Sequence, residues 1–239
     1  MLQFDSDLSG ILLLDKPVGL TSHDVVHRIR RATGMKRVGH AGTLDPLAMG
    51  LLIVLIGRAT KISQFLINLD KSYEGTMQLG IETDSHDSEG NIVAQRGMDG
   101  VTLECLRAAA VAFEGDLEQV PPMFSAKKLN GKPLYRLARQ GKVVDRKSNP
   151  VKIFKFEIKS LHANRADFCI CCSKGTYVRT LAHDLGQKLG CGAHLSALRR
   201  TKIGNFSLGE AHSLEKICTM PRHEICECLI TSYLATRMQ

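Results

Sequence analysis

The chain has 239 residues, of which 44% are hydrophobic, with no Trp, eight Cys and a formal net charge of +8. That content suffices for a buried core in one large or two small domains. The positive charge points to an anionic partner, nucleic acid before membrane, and the longest apolar run, residues 47–56, is too short to span a bilayer.

Ile-Leu-Leu-Leu at 11–14 predicts a short buried strand that ends at Asp15-Lys16-Pro17. Thr21 or Ser22 then caps a helix with Val25, Val26, Ile29 and Ala32 on its apolar face and Gly34 as its stop. Residues 51–56 read as a second strand and 59–67 as a helix. Tyr73, Gly75, Met77, Leu79 and Ile81 alternate as in a half-buried strand, with Ile92 and Val93 in its hairpin partner. Leu103, Leu106, Ala110 and Phe113 mark a helix closed by Gly115, and a short helix at 134–139 stops at Gly141. Strands follow at 151–159 and 166–172. Val178, Leu181, Ala182, Leu185 and Leu189 lie at helical spacing and stop at Gly190. Strands and helices mix without βαβ alternation, so the class is α+β. From about residue 207 the chain reads as a short tail.

The cysteines do not form a metal motif. Cys169, Cys171 and Cys172 make C-x-C-C, Cys226 and Cys228 make C-x-C, and Cys105, Cys191 and Cys218 stand alone. Reduced thiols, many of them in the core of a cytoplasmic protein, are expected. Residues 34–41 have P-loop glycine spacing but put His40 and Ala41 where Lys and Ser or Thr are required. The acidic loop at 82–90 lacks the ligand order of an EF-hand and reads as a polar hairpin tip. No signature of a metal or cofactor survives.

Two features remain. Residues 127–155 hold ten Lys or Arg against one acid, Asp145, and a second basic knot lies at Arg199-Arg200-Thr201-Lys202. Both suit phosphate contact, although a solvated surface lobe would look the same. Asp45 stands in a glycine-rich turn beside the apolar run, where an unpaired charge is costly, and Pro46 biases it toward an extended backbone. Taken alone, that is also what an Asp-Pro turn feeding a core strand looks like.

The segment 39–50, Gly-His-Ala-Gly-Thr-Leu-Asp-Pro-Leu-Ala-Met-Gly, resembles the catalytic motif of the TruB family, the tRNA pseudouridine synthases B. Leu13-Leu14-Asp15-Lys16-Pro17-Val18-Gly19 resembles that family's opening strand and turn. Residues 121–128 with Gly131 and 135–139 resemble its second motif. Residues 173–180 followed by Leu198-Arg199-Arg200-Thr201 resemble its third. Order and spacing agree from about residue 11 to 206.

The resemblance implies a pseudouridine synthase fold: a central mixed or antiparallel sheet flanked by helices, with a basic insertion lobe at about 121–155. It implies a catalytic domain over 1–206; the chain departs from the family's pattern in the short tail over 207–239, where the family commonly carries a small C-terminal RNA-binding PUA domain. The implied reaction is isomerisation of uridine 55 in the tRNA T-loop, on a flipped-out base, with no cofactor or metal. By the same resemblance Asp45 is the catalytic carboxylate, Arg179 the arginine that pairs with it, and Tyr73 the ring over the uracil. Tyr177 is a second pocket tyrosine, Leu198 an apolar wall, and His40 the group that holds the T-loop open. Lys127, Lys128, Lys132, Arg136, Arg139, Arg199 and Arg200 are candidate phosphate contacts. The route of bond exchange stays open between attack at C1′, attack at the uracil ring and a glycal-type path. The expected partner is the tRNA T-arm, with no membrane and no obligate protein partner. The alternative is an RNA-binding or tRNA-folding module without chemistry. A guide-RNA-dependent synthase, which shares the Asp motif, fits this compact chain less well.

Overall fold

The computed structural model describes residues 8–231 apart from 126, 130, 139 and 143, and not the side chains of 128, 129, 133 and 135. In chain order the strands are β1 (Gly10–Lys16), β2 (Val38–Ala41), β3 (Met49–Ile56), β4 (Lys71–Leu79), β5 (Ile81–Thr83), β6 (Ile92–Gln95), β7 (Gly115–Gln119), β8 (Lys128–Leu129), β9 (Lys132–Pro133), β10 (Asn149–His162), β11 (Arg165–Cys172), β12 (Ala193–Ile203), β13 (Phe206–Ser207) and β14 (His212–Ser213). The helices are α1 (Ser22–Thr33), α2 (Ser63–Ile67), α3 (Leu103–Val111), α4 (Leu134–Ala138), α5 (Val178–Lys188), α6 (Leu214–Thr219) and α7 (Arg222–Glu227), with 3₁₀ turns at Gly57–Ile62 and Leu208–Glu210. The class is α+β, as expected.

By its contacts the chain divides into two units, residues 1–73 with 198–239, and residues 74–197. It passes from one to the other inside β4 and inside β12.

The first unit is built on β1 and β3, paired antiparallel with Leu12 opposite Val54 and Leu13 opposite Ile53. β14 lies parallel on the far side of β1, while β2 (antiparallel) and the end of β12 (parallel) share the other edge of β3. Their apolar runs are continuous because both faces are covered. Leu12, Leu14, Leu52, Val54 and Ile56 pack with Val25, Val26 and Ile29 of α1 and with Leu214, Ile217 and Ile225 of α6 and α7. Ile11, Leu13, Leu51, Ile53 and Leu55 pack with Ala59, Leu66, Ile203 and Phe206. The segment read as a tail thus supplies three core residues to this unit. Helix α1 begins at a capping box, in which Thr21 and Asp24 satisfy each other's backbone N–H, and ends at Gly34. The helix expected over 59–67 is instead a 3₁₀ turn followed by α2. The Thr60 hydroxyl donates to Gly57 O at 2.9 Å, tightening that first turn.

In the second unit β4, β11, β10 and β7 lie in that order, β10 running antiparallel to both of its neighbours. Phe156 and Phe168 meet edge to face, ring centres 5.6 Å apart, and Leu106, Ala109 and Ala110 of α3 are buried. The strand expected to run from Tyr73 to Ile81 is two strands. Gly80 turns the backbone at φ +82°, a region that glycine enters without steric cost, and β5 leaves to form a separate hairpin with β6.

Of the eight thiols, all free, only Cys172 and Cys191 are buried, and Cys105, Cys218 and Cys226 are exposed. The expectation that many pack in the core is corrected accordingly. Among the described residues no helix is long and apolar enough to cross a membrane.

Candidate active site

Asp45 lies in an irregular loop between β2 and β3, half-buried and outside any helix. Groups on both sides of the loop help to set its shape. On the α1 side, the Ser22 hydroxyl accepts from Leu44 N at 2.9 Å and donates to Leu44 O at 3.2 Å, next to the carboxylate-bearing residue. Gly19 N donates to Pro46 O at 2.8 Å, and Ala48 N closes a turn on Asp45 O at 3.1 Å. The turn that presents Gly19 is itself tied by Lys16, whose fully buried Nζ donates to Pro17 O at 2.9 Å and Leu20 O at 2.6 Å. The opening strand and turn therefore act as a brace for the Asp45 loop.

On the β12 side the brace is Arg200. Its side chain is 1% exposed, and its fork reaches both ends of the loop: Nε donates to Leu51 O at 2.8 Å and Nη2 to Gly42 O at 3.0 Å. Arg200 pairs in register with Gly50 across the β3–β12 ladder. Gly50 has φ +100°, and a Cβ there would fall 2.8 Å from Arg200 N and nearer still to Arg200 O, so only glycine lets the strands close. This corrects the reading of Arg200 as a phosphate contact. Its charge is consumed by backbone carbonyls in the interior.

Arg199, on the opposite face of β12, is partly exposed and pairs with Asp15 at 2.7 Å. Leu198 follows the Arg200 face by strand alternation and is half-buried. Tyr73 is buried in β4. Nearby in sequence, Lys71 is buried and its Nζ donates to Ile67 O at 2.6 Å and to Leu69 O. His40 sits on β2 opposite Val54, with its ring edge-on to His23 at 6.5 Å. Burial holds the His40 imidazole below its ordinary 6.5, and the charges of His23 and Arg200 add to the effect. Its Nδ1 is buried with no hydrogen-bond partner.

In the second unit, Tyr177 caps α5 and is clamped by buried Gln119, which donates from Nε2 to Tyr177 O at 3.1 Å and accepts Tyr177 N at 2.7 Å. Arg179 is not a surface charge. It is buried, its Nη1 lies 3.0 Å from Asp87 Oδ2, and its Nη2 donates to Phe124 O. Asp87, in the tip of the β5–β6 hairpin, also accepts Ser85 Oγ at 2.5 Å and Glu89 N at 3.1 Å. The acidic loop therefore carries a residue that sets the direction of Arg179, which the sequence reading passed over. Burial, then the charges of His183, Arg179 and Arg146, push the neighbouring His86 down from 6.5 to about 4, against a smaller pull from Asp84.

In the basic lobe, Lys132 and Arg136 are exposed. Lys127 is half-buried and donates to Asn149 Oδ1 at 2.5 Å. The side chain of Lys128 and all of Arg139 lie outside the described residues. Among the described residues no group of three or more His, Cys, Asp or Glu could hold a metal ion. Lys16, Ser22, Asp87 and Gln119 are structural partners that the sequence reading missed. The signal available for Lys16 and Asp87 was a charge beside an apolar run or inside a tight loop; Ser22 and Gln119 offered none.

Comparison with known proteins agrees with the motif reading. Residues 30–178 match the model of the TruB family pseudouridylate synthase N-terminal domain, and residues 179–230 that of the tRNA pseudouridylate synthase B C-terminal domain. The tRNA pseudouridine synthase B of Opitutus terrae is 52% identical over 98% of this chain and 98% of its own length. That of Bordetella avium is 50% identical over 89% and 88%. Among solved structures, one of a Cbf5-Nop10-Gar1 complex aligns with TM-score 0.68 and 30% identity, over 87% of this chain and 53% of that chain. An H/ACA RNP bound to a substrate RNA containing 2'-deoxyuridine aligns with TM-score 0.66 and 27% identity, over 88% of this chain and 53% of that one.

Two predictions follow from this geometry. Replacing Arg200 by Met keeps the volume but strands two buried carbonyls, and is expected to lower unfolding free energy by about 2–4 kcal/mol. Chemical denaturation measures it, and a cost near zero would mean the guanidinium is not the brace. A neutral native His86 whose unfolded form titrates at 6.5 adds stability above that pH, and this is lost as pH falls toward 4. The rise of stability between pH 4 and 6.5 should therefore flatten in His86→Asn, and an unchanged slope would contradict the burial of that ring.

Proposed function

We propose that this chain, which belongs to the TruB family of pseudouridylate synthases, a family of isomerases, converts uridine 55 in the tRNA T-loop to pseudouridine, with Asp45 as nucleophile. The observation that carries the reading is the braced loop: Asp45 stands between two backbone segments held by Ser22, Gly19 and Arg200. A carboxylate whose backbone is fixed before substrate arrives is what a reaction at one glycosidic bond needs. In that reaction the N1–C1′ bond breaks, the uracil turns, C5 bonds to C1′, C5 gives up its proton and N1 ends protonated. The change is redox-neutral and internal to one nucleotide.

Arg179 is the positive charge that the resemblance assigns to the Asp45 carboxylate, keeping it ionised. Extruding the base costs a few kcal/mol, and stacking on aromatic rings returns about 1–3 kcal/mol per base. Tyr73 and Tyr177 are the rings proposed for this, with Leu198 as an apolar wall and His40 as the group that holds the T-loop open. A neutral His40 suits insertion among bases. Lys127, Lys128, Lys132, Arg136, Arg139 and Arg199 are the proposed phosphate contacts. The site of action is the cytoplasm, on the T-arm, without an obligate protein partner. Identity of 50–52% over 88% and 98% of the length of two proteins named tRNA pseudouridine synthase B favours this over a guide-dependent role.

The test is tritium release from an unmodified T-arm hairpin labelled at uracil C5, using purified protein alone. Wild type should release label without added cofactor, Asp45→Asn should not, and Arg179→Lys should lose most turnover because an ammonium cannot reproduce the fork. Lys is the better substitution than Ala, since deleting the cation would leave Asp87 buried and unpaired, at about 3–5 kcal/mol. Binding without release by wild type would favour the RNA-folding module instead. Affinity for the hairpin should fall with salt at a log–log slope of about −0.7 to −0.9 per phosphate contact. Lys132→Ala and Arg136→Ala should each reduce that slope, and an affinity indifferent to salt would remove the lobe from RNA binding.

A further inference from the structure

We propose that the stacked rings of His86 and His183 form a clasp that holds the tip of the β5–β6 hairpin on α5 and so fixes Asp87 against Arg179. The rings lie 3.9 Å apart at an interplanar angle of 2°. Arg179 and His183 are four residues apart on α5 and share a face. His86 and Asp87 are consecutive in the loop. Two parallel contacts therefore join the same two elements, one ring to ring and one ion to ion.

The loop is presented for both contacts by its own backbone. Leu195 N donates to His86 O at 2.9 Å and Ser88 N to Leu195 O at 3.0 Å, so residues 86–88 lie alongside β12. Thr83 Oγ1 donates to Asp87 O at 2.6 Å. His86 has φ +65°, a left-handed conformation that a side chain other than Gly adopts only where surroundings hold it. This backbone turns the ring onto His183.

A stack is suited to this task because it carries no charge. A second cation at position 86 or 183 would compete with Arg179 for the Asp87 carboxylate. Besides the two rings facing each other, the charges acting on His86 are those of His183, Arg179, Arg146 and Asp84, and those acting on His183 are Asp184 and Arg96. Burial comes first among the causes that hold each imidazole below its ordinary 6.5. Both rings are neutral at physiological pH, and both Nδ1 atoms are buried without a hydrogen-bond partner. What joins the two rings is contact between their faces.

The inference rests on the proposed role of Arg179, and the test separates the two. In the tritium-release assay, His183→Ala should lower kcat about ten- to a hundredfold with KM for the hairpin within about twofold of wild type. His183→Phe, which keeps a ring and removes the titration, should restore most of kcat. His86→Asn, chosen because Asn tolerates the left-handed backbone, should match His183→Ala. The double variant should lose no more than the worse single, because either change alone undoes the stack. Hydrogen exchange at residues 84–91 should speed up in His183→Ala and not in His183→Phe, which reads the clasp without turnover. Wild-type kcat in His183→Ala, a loss that His183→Phe does not rescue, or losses that multiply in the double variant would each overturn the clasp. Should Arg179→Lys turn over at the wild-type rate, the role of Arg179 fails instead. A slow Arg179→Lys beside a full-rate His183→Ala would sink the clasp alone.

Discussion

One buried guanidinium organises the Asp45 loop. Taking a cation out of water costs several kcal/mol unless its donors are bonded, and Arg200 places two of its own on the carbonyls of Leu51 and Gly42. A lysine could not span both, since the reach depends on a rigid planar fork. The two carbonyls lie on either side of Asp45 in sequence, so the same interaction that stabilises the cation fixes both ends of the loop. Gly50 is the counterpart of this arrangement, admitting the Arg200 backbone where any side chain would collide.

The second unit repeats the logic with a different partner. Arg179 is buried too, and it is the carboxylate of Asp87 that holds it, with Ser85 and Glu89 N fixing that carboxylate in turn. With one nitrogen on Asp87 and another on Phe124 O, the guanidinium is held in a fixed plane. The bonds described for both cations are made in the interior, and neither is a solvent-exposed pair of the kind that contributes little.

What could be read from the sequence was what burial and capping impose locally. Residues 11–14 and 51–56 were legible because strands covered on both faces must be continuously apolar. Helix α1 was legible because Thr21 and Gly34 mark its ends. β12 was not, because a strand bearing Arg199 and Arg200 reads as surface, and nothing local reveals that carbonyls 149 and 158 residues away will receive Arg200. The break at Gly80 was hidden because Ile81 continues the alternation. Asp87 looked like a polar hairpin tip because its partner is 92 residues distant. The family resemblance located Asp45 where spacing alone left an ordinary turn, since four motifs in order carry information that no single loop holds.

The braced loop is proposed to bring the Asp45 carboxylate to the glycosidic linkage of an extruded uridine. A crystal structure of the Asp45→Asn variant with an unmodified T-arm hairpin tests it most directly. The account predicts the target base out of its stack, with the side chain at position 45 about 3–3.5 Å from C1′ or the uracil ring. A uridine still stacked within the loop, or a side chain at position 45 turned away from the ribose, would contradict it.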